Sequence, residues 1–227
     1  MPHSIPHNPK LVPYGDTALL IQYEAGGYDE AIVETIQDLA GALRSNGYWR
    51  EVVTGYDSLL VSFDPLKFTM EEAARRLTPK LTQNVSNAKR SSNLVDIPVV
   101  YGGEFGPDMG KIMESSGLSE EEIIALHSSE GYRVCMMGFI PGFAFLSAAP
   151  EALHHPRHDV PRQIVPAGSV GIAGWQTGIY GLESPGGWQI IGRTPIVMFD
   201  KARDNPFYLK AGDRVRFVPS ASETFND

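Results

Sequence analysis

Between residues 138 and 195 the chain packs ten glycines and seven prolines into 58 residues. No long helix survives that density. Proline removes an amide donor and clashes with the preceding turn, and glycine loses the most conformational entropy on ordering. The stretch is predicted to form short strands joined by tight turns. Residues 1–95, with six glycines and six prolines, read differently. Two domains are therefore predicted, 1–93 and 94–227, which suits 227 residues at roughly 100–150 residues per domain.

The first half alternates between the two periodicities of regular structure. Residues 17–23 (TALLIQY) read as a strand. Residues 29–44 place Ile32, Val33, Ile36, Leu39, Ala40 and Leu43 on one helical face, with Gly47 just past the end. Strands follow at 51–54 and 58–63. Thr69 and Glu72 have capping-box spacing for a helix reaching about Leu81. Leu94 to Val100 is a further apolar strand. The predicted order is β-α-β-β-α-β, a ferredoxin-like domain with two helices over one face of a four-stranded sheet. The polar run 86–93 reads as a linker.

Two short helices are predicted next. One runs from Pro107 to about Ser115. The other runs from Ser119, boxed by Glu122 and stapled by Leu118 against Ile123, to near His127. Beyond them, strands are expected at 132–137, 169–174, 188–191, 196–199 and 215–217. A compact β-barrel is the natural architecture, so the fold class is α+β.

Composition excludes several functions. With 42% hydrophobic and 20% charged residues the chain has a globular make-up. Its net charge of −8 opposes general nucleic-acid binding, which depends on Lys and Arg against phosphate. No apolar run is long enough to span a membrane, and the N-terminus lacks the apolar core of a signal peptide. The single cysteine, Cys135, cannot form an internal disulfide and lies in an apolar strand, where an inert thiol is expected. A cytoplasmic location follows by elimination.

Residues 154–193 are locally basic within this acidic chain. Arg157, Arg162 and Arg193 face only Asp159 and Glu183, and three histidines accompany them. Rigid loops can aim such arginines at the carboxylate or phosphate of a small anionic ligand. They can equally tie loops to backbone carbonyls or to those two acids, and spacing leaves both readings open. His154, His155 and His158 are interrupted by Pro156 and joined by no Cys or acidic cluster, so no metal site is expected. His127 stands at a helix end, either meeting the terminal carbonyls or acting chemically. There is no P-loop. Residues 167–171 (AGSVG) miss a nucleophile elbow by their first glycine.

The same segments carry a family resemblance. Residues 138–146 (GFIPGFAFL), Pro156-Arg157, Pro161-Arg162, 165–169 (VPAGS), 176–180 (QTGIY), 184–188 (SPGGW) and 192–195 (GRTP) resemble the family that holds the B subunit of 5-oxoprolinase, the sporulation kinase inhibitor KipI and the first subunit of allophanate hydrolase. Residues 15–18, 56–60, 97–108 and His127 extend the likeness over nearly the whole chain. The resemblance implies a small α/β domain followed by a cyclophilin-like β-barrel. It implies ATP-dependent cleavage of 5-oxo-L-proline to L-glutamate together with subunits A and C. Carried onto this sequence, it suggests Arg157, Arg162 and His127 as catalytic candidates. Gln176, Tyr180, Ser184, Gly186, Gly187, Trp188, Arg193 and Thr194 become substrate-binding candidates. Two departures stand out: residues 147–150 (SAAP) where a glycine-containing turn is expected, and Gly181 where proline is expected. Inhibition of a sensor histidine kinase, or a carboxyltransferase role on a urea-derived substrate, are the alternatives the family offers.

Overall fold

The computed structural model describes residues 9–24, 26–81, 94–129 and 131–221. The chain divides into two compact units, residues 1–91 and 92–227.

The first unit is a four-stranded antiparallel sheet covered by two helices. In chain order it holds β1 (Lys10–Pro13), β2 (Ala18–Gln22), α1 (Glu30–Arg44), β3 (Glu51–Thr54), β4 (Ser58–Ser62) and α2 (Met70–Leu81). Strand order is β1-β2-β4-β3. Period-two patterning puts Leu19 and Ile21 of β2 and Leu59 and Val61 of β4 on the buried face. The predicted stripe of α1, Ile32 through Leu43, packs against them. Each such aliphatic side chain contributes about 1.5–3 kcal/mol on burial. The Asp29 carboxylate caps α1, accepting from the N–H groups of Ala31 at 2.9 Å and Ile32 at 3.2 Å. The Thr69–Glu72 box opens α2 as expected, with reciprocal bonds of 2.9 and 3.2 Å.

One expectation fails here. Residues 94–100 do not complete this sheet. Its fourth place is taken by β1, antiparallel to β2 with Leu11 opposite Ile21. The arrangement is the ferredoxin-like one with its last strand moved to the front. Four residues ending in Pro13 carry too little alternation to announce a strand, and proline is tolerated because β1 is an edge. The linker predicted at 86–93 lies outside the described residues.

The displaced strand, β5 (Leu94–Tyr101), belongs to the second unit. It is followed by α3 (Met109–Ser116), α4 (Glu120–Ser129), β6 (Gly131–Met137) and β7 (Ala144–Ala148). A 3-10 turn (Glu151–Leu153) precedes β8 (Arg162–Val165), β9 (Ser169–Ala173), β10 (Gln176–Ile179), β11 (Ser184–Gly186), β12 (Gln189–Arg193) and β13 (Arg214–Pro219). Seven strands close a barrel in the order β10-β7-β6-β13-β5-β12-β9, and β11 and β8 form a separate ribbon. Only the β13–β5 pair among the barrel neighbours is parallel. Ile97, Val99, Val134, Leu146, Val170, Ile172, Ile179, Ile191, Val215 and Phe217 belong to the main core of this unit. A second apolar cluster gathers Phe143, Val165, Ala173, Tyr180, Trp188 and Ile190. The capping box of α4 forms, with Ser119 and Glu122 bonded at 2.8 and 3.3 Å. Residues 196–199 are not the strand expected of them; Phe199 makes a single bridge to Phe207. No helix among the described residues is long and apolar enough to cross a membrane.

Candidate functional site

The proline-rich segment 156–162 is laid against the segment leaving β11. The backbone N–H of His158 donates to Gly187 O at 2.7 Å, and Gln189 Nε2 donates to Pro156 O at 2.9 Å. Tyr180 rises beneath this junction. A Cβ at Gly186 would lie 2.2 Å from the Tyr180 hydroxyl, so glycine is required for the backbone to pass over the ring. Burial pushes the Tyr180 pKa up, while the Trp188 N–H and the charges of Arg157 and Arg162 oppose it. Both arginines therefore lie near this phenol.

The two arginines are held differently. Arg157 is exposed, with its guanidinium 5.9 Å from the Trp188 ring centre, a cation–π stacking. It makes no hydrogen bond among the described residues, so all five of its N–H donors are open. Arg162, 32% exposed, is anchored from behind by Asp108, only 1% exposed. Arg162 Nη2 donates to Asp108 Oδ1 at 2.7 Å, and the Ile190 N–H donates to Oδ2 at 2.8 Å. Burial pushes this carboxyl up. The bonds from Arg162, Ile190 and His158, with the Arg162 charge, outweigh it and leave Asp108 below its usual pKa.

His158 joins the group and brings a conflict. Its Nε2 lies 3.1 Å from Asp108 Oδ2 and 2.6 Å from Arg162 Nη1, and its Nδ1 lies 3.2 Å from Lys111 Nζ. Lysine and arginine only donate. With the proton on Nε2 the ring donates to Asp108 and accepts from Lys111, and Arg162 Nη1 faces an N–H. With the proton on Nδ1 the ring accepts from Arg162 and turns an N–H toward Lys111. Either way one of the two cations finds no acceptor on this ring.

The remaining candidates lie elsewhere. Arg193 Nε donates to Ala167 O at 2.8 Å, and Thr194 N–H donates to Gly168 O at 2.9 Å. This pair braces the 166–168 turn, the loop-tying reading. Ser184 is buried and donates to Pro185 O at 3.1 Å. Gln176 opens β10 opposite Ala173. His154 and His155 meet the carbonyls of Ala149 and Pro156, apart from the His158 group.

His127 sits fully buried, stacked 4.6 Å from Phe217. The Thr177 hydroxyl donates to Gly171 O at 3.1 Å, so it accepts from His127 Nε2–H at 2.9 Å. Nδ1 then accepts from the Tyr101 hydroxyl at 2.8 Å. The tautomer is assigned from this network. Burial pushes its pKa down to about 3. A neutral ring with both nitrogens engaged is placed to order the core rather than to move protons for a substrate. The ring therefore spends both nitrogens on Tyr101 and Thr177 rather than on the terminal carbonyls of α4, and its own backbone carbonyl accepts from the Tyr132 hydroxyl at 2.9 Å.

Sequence reasoning missed Asp108 and Lys111 as site members. They stand about fifty positions upstream of their partners, and no local spacing announces them. It also missed Phe139, which holds φ at 66° while 64% exposed. A bulky residue in that conformation is strained, and its ring stands edge-on to Phe143 and Tyr180. The glycine at 181 is explained: a Cβ there would lie 2.2 Å from Pro141 O.

Residues 9–209 match the family described as "Carboxyltransferase domain, subdomain C and D". The chain belongs to that family. It is 34% identical to the B subunit of 5-oxoprolinase from Bacillus subtilis (strain 168), covering 93% of each chain. It is 56% identical to the B subunit of 5-oxoprolinase from Escherichia coli O157:H7 over 128 residues, 56% of this chain and 59% of that one. Among solved structures, the crystal structure of TTHA0988 superposes with a TM-score of 0.80 at 36% identity, covering 91% of this chain and 40% of that one.

Proposed function

We propose that this family member is a component of an ATP-dependent 5-oxoprolinase, working in the cytoplasm with partner subunits A and C. The kinship with proteins named as the B subunit of 5-oxoprolinase supports the activity. One structural observation supports the site: among the described residues Arg157 leaves five N–H donors open, and Arg162 leaves at least three after its bonds to Asp108 and His158. Loop bracing accounts for Arg193 and for the inner side of Arg162. It does not account for Arg157, which stacks on Trp188 and ties no loop carbonyl among the described residues.

The chemistry calls for such donors. A lactam carbonyl is a poor electrophile, and ATP supplies the phosphoryl group that makes its oxygen a leaving group. This chain's contribution is electrostatic. Arg157 and Arg162 bind the anionic group of the substrate and hold positive charge where negative charge gathers, in an arrangement set before the reaction begins. Tyr180, Gly186, Gly187 and Trp188 form the floor. The site is part of an assembly, completed by the partner subunits.

The test is coexpression with neighbouring A and C subunits and an assay for ATP-dependent glutamate release from 5-oxoproline. Arg157→Ala and Arg162→Ala are each expected to lower turnover by about a hundredfold or more, with the circular dichroism of this chain unchanged. Full activity in both variants refutes the assignment. A stable complex that releases no glutamate points instead to a carboxyltransferase role, and failure to assemble points to a kinase inhibitor.

A further inference from the structure

We propose that Lys111 is a third cation of this site, and that the Lys111–His158–Arg162 cluster binds a dianionic, phosphoryl-type group rather than a lone carboxylate. The inference rests on the anion-binding reading above and goes further in naming the ligand's charge and an added residue.

Three observations carry it. First, the cluster is one acceptor short. His158 can serve as acceptor to Lys111 or to Arg162, never to both, because its ring carries at least one proton. Protonating the ring fully would remove both acceptors. Solvent reaches both cations and can fill the gap, but an outside group with several acceptor oxygens serves both donors at once in every tautomer.

Second, the cluster's anion is already committed. Asp108 accepts from Arg162 on Oδ1 and from Ile190 N–H on Oδ2, and with the proton on Nε2 also from His158 on Oδ2. Lys111 Nζ stands 3.8 Å from Oδ1, beyond hydrogen-bond length. One carboxylate thus faces two full cations here, and Arg157, whose charge acts on the same Tyr180 phenol as that of Arg162, adds a third. Among Lys111, Arg162, Arg157 and Asp108 the surplus is two positive charges. A monocarboxylate would leave one unmatched, whereas a phosphoryl group at neutral pH carries about −1.5 to −2.

Third, the geometry is built to persist. Asp108 is buried and tied to the β12 backbone, the 156–162 segment is stiffened by Pro156 and Pro161, and Lys111 stands in the first turn of α3. Lys111 itself is 53% exposed, so its amine is reachable and its replacement does not disturb the core.

The test uses the full chain, titrated calorimetrically with sodium phosphate, sodium acetate and ATP at fixed ionic strength and pH 8. Phosphate is expected to bind at least about tenfold more tightly than acetate. Lys111→Met should weaken phosphate by roughly tenfold, the effect of one charge-assisted hydrogen bond, and acetate by less than about twofold. Lys111→Arg should restore phosphate binding. Unchanged phosphate affinity in Lys111→Met, or acetate bound as tightly as phosphate, overturns the proposal. If Arg157→Ala and Arg162→Ala weaken both anions while Lys111→Met weakens neither, only this inference fails. If the arginine variants bind both anions like wild type, the anion site itself falls and this inference with it. ATP bound more tightly than phosphate, with the same Lys111 dependence, makes the ligand a nucleotide phosphate. ATP bound no more tightly makes it a phosphorylated small molecule.

Discussion

The most and least legible residues of this chain are its charged ones. Arg157 and Arg162 can be picked out because proline precedes each and glycines fill the facing segment; stiff and permissive backbone around a long cation is a local signal. Asp108 cannot, since its role depends on a histidine and an arginine about fifty positions away. His127 is visible as a residue but not as a role. Its surroundings make a measurable prediction. Folded, the ring stays neutral to about pH 3, whereas its ordinary pKa is 6.5. Between those values the unfolded chain binds the extra proton. Stability is therefore full above about 6.5 and falls as pH drops toward 3. Denaturant unfolding of the barrel should lose about 2 kcal/mol between pH 7 and pH 5 from this residue. His127→Gln, although less stable overall, should show a correspondingly flatter pH dependence; an identical slope would remove His127 as the cause.

At the level of elements, local chemistry predicts helices better than it predicts strand partners. Helix caps are written within three or four residues, and the Asp29 cap and both capping boxes form. Thr69→Ala should cost about 1 kcal/mol by freeing an amide at the start of α2. A urea titration of the wild-type and variant chains, followed at the transition of the first unit, measures it; no shift in midpoint would mean that Glu72 alone suffices. Strand alternation, by contrast, says which face is apolar and nothing about which neighbour is chosen. Residues 94–101 look like a sheet-closing strand of the first unit. They enter the barrel because Ile97 and Val99 pack with Val215 and Phe217 there. The parallel β5–β13 pair is also tied by Arg216, which grips both oxygens of Asp96 directly across the strands, at 2.9 and 2.6 Å. Both side chains are about half exposed, so that tie is expected to weaken with salt.

For the molecule as a whole, the pairing of β5 with β13 sets the order of events. The first unit's sheet has its last strand by Ser62. The barrel cannot close until Arg214–Pro219 is available to pair with Leu94–Val99, strands separated by about 120 positions. A chain ending at residue 213 lacks that staple and leaves the β5 and β6 flanks that β13 covers without a partner. Its second unit is expected to lose cooperative unfolding and the near-ultraviolet signal of Trp188 and Tyr180. Retention of both would show that the barrel holds without β13. On the ribosome the same feature becomes a matter of timing. At roughly 5–20 residues per second, residues after Tyr101 take several seconds to emerge, and throughout them an apolar strand edge waits unpaired. Such edges invite pairing with other chains. The window in which this protein is most exposed to aggregation is thus written into its topology, and it ends only when β13 has left the ribosome.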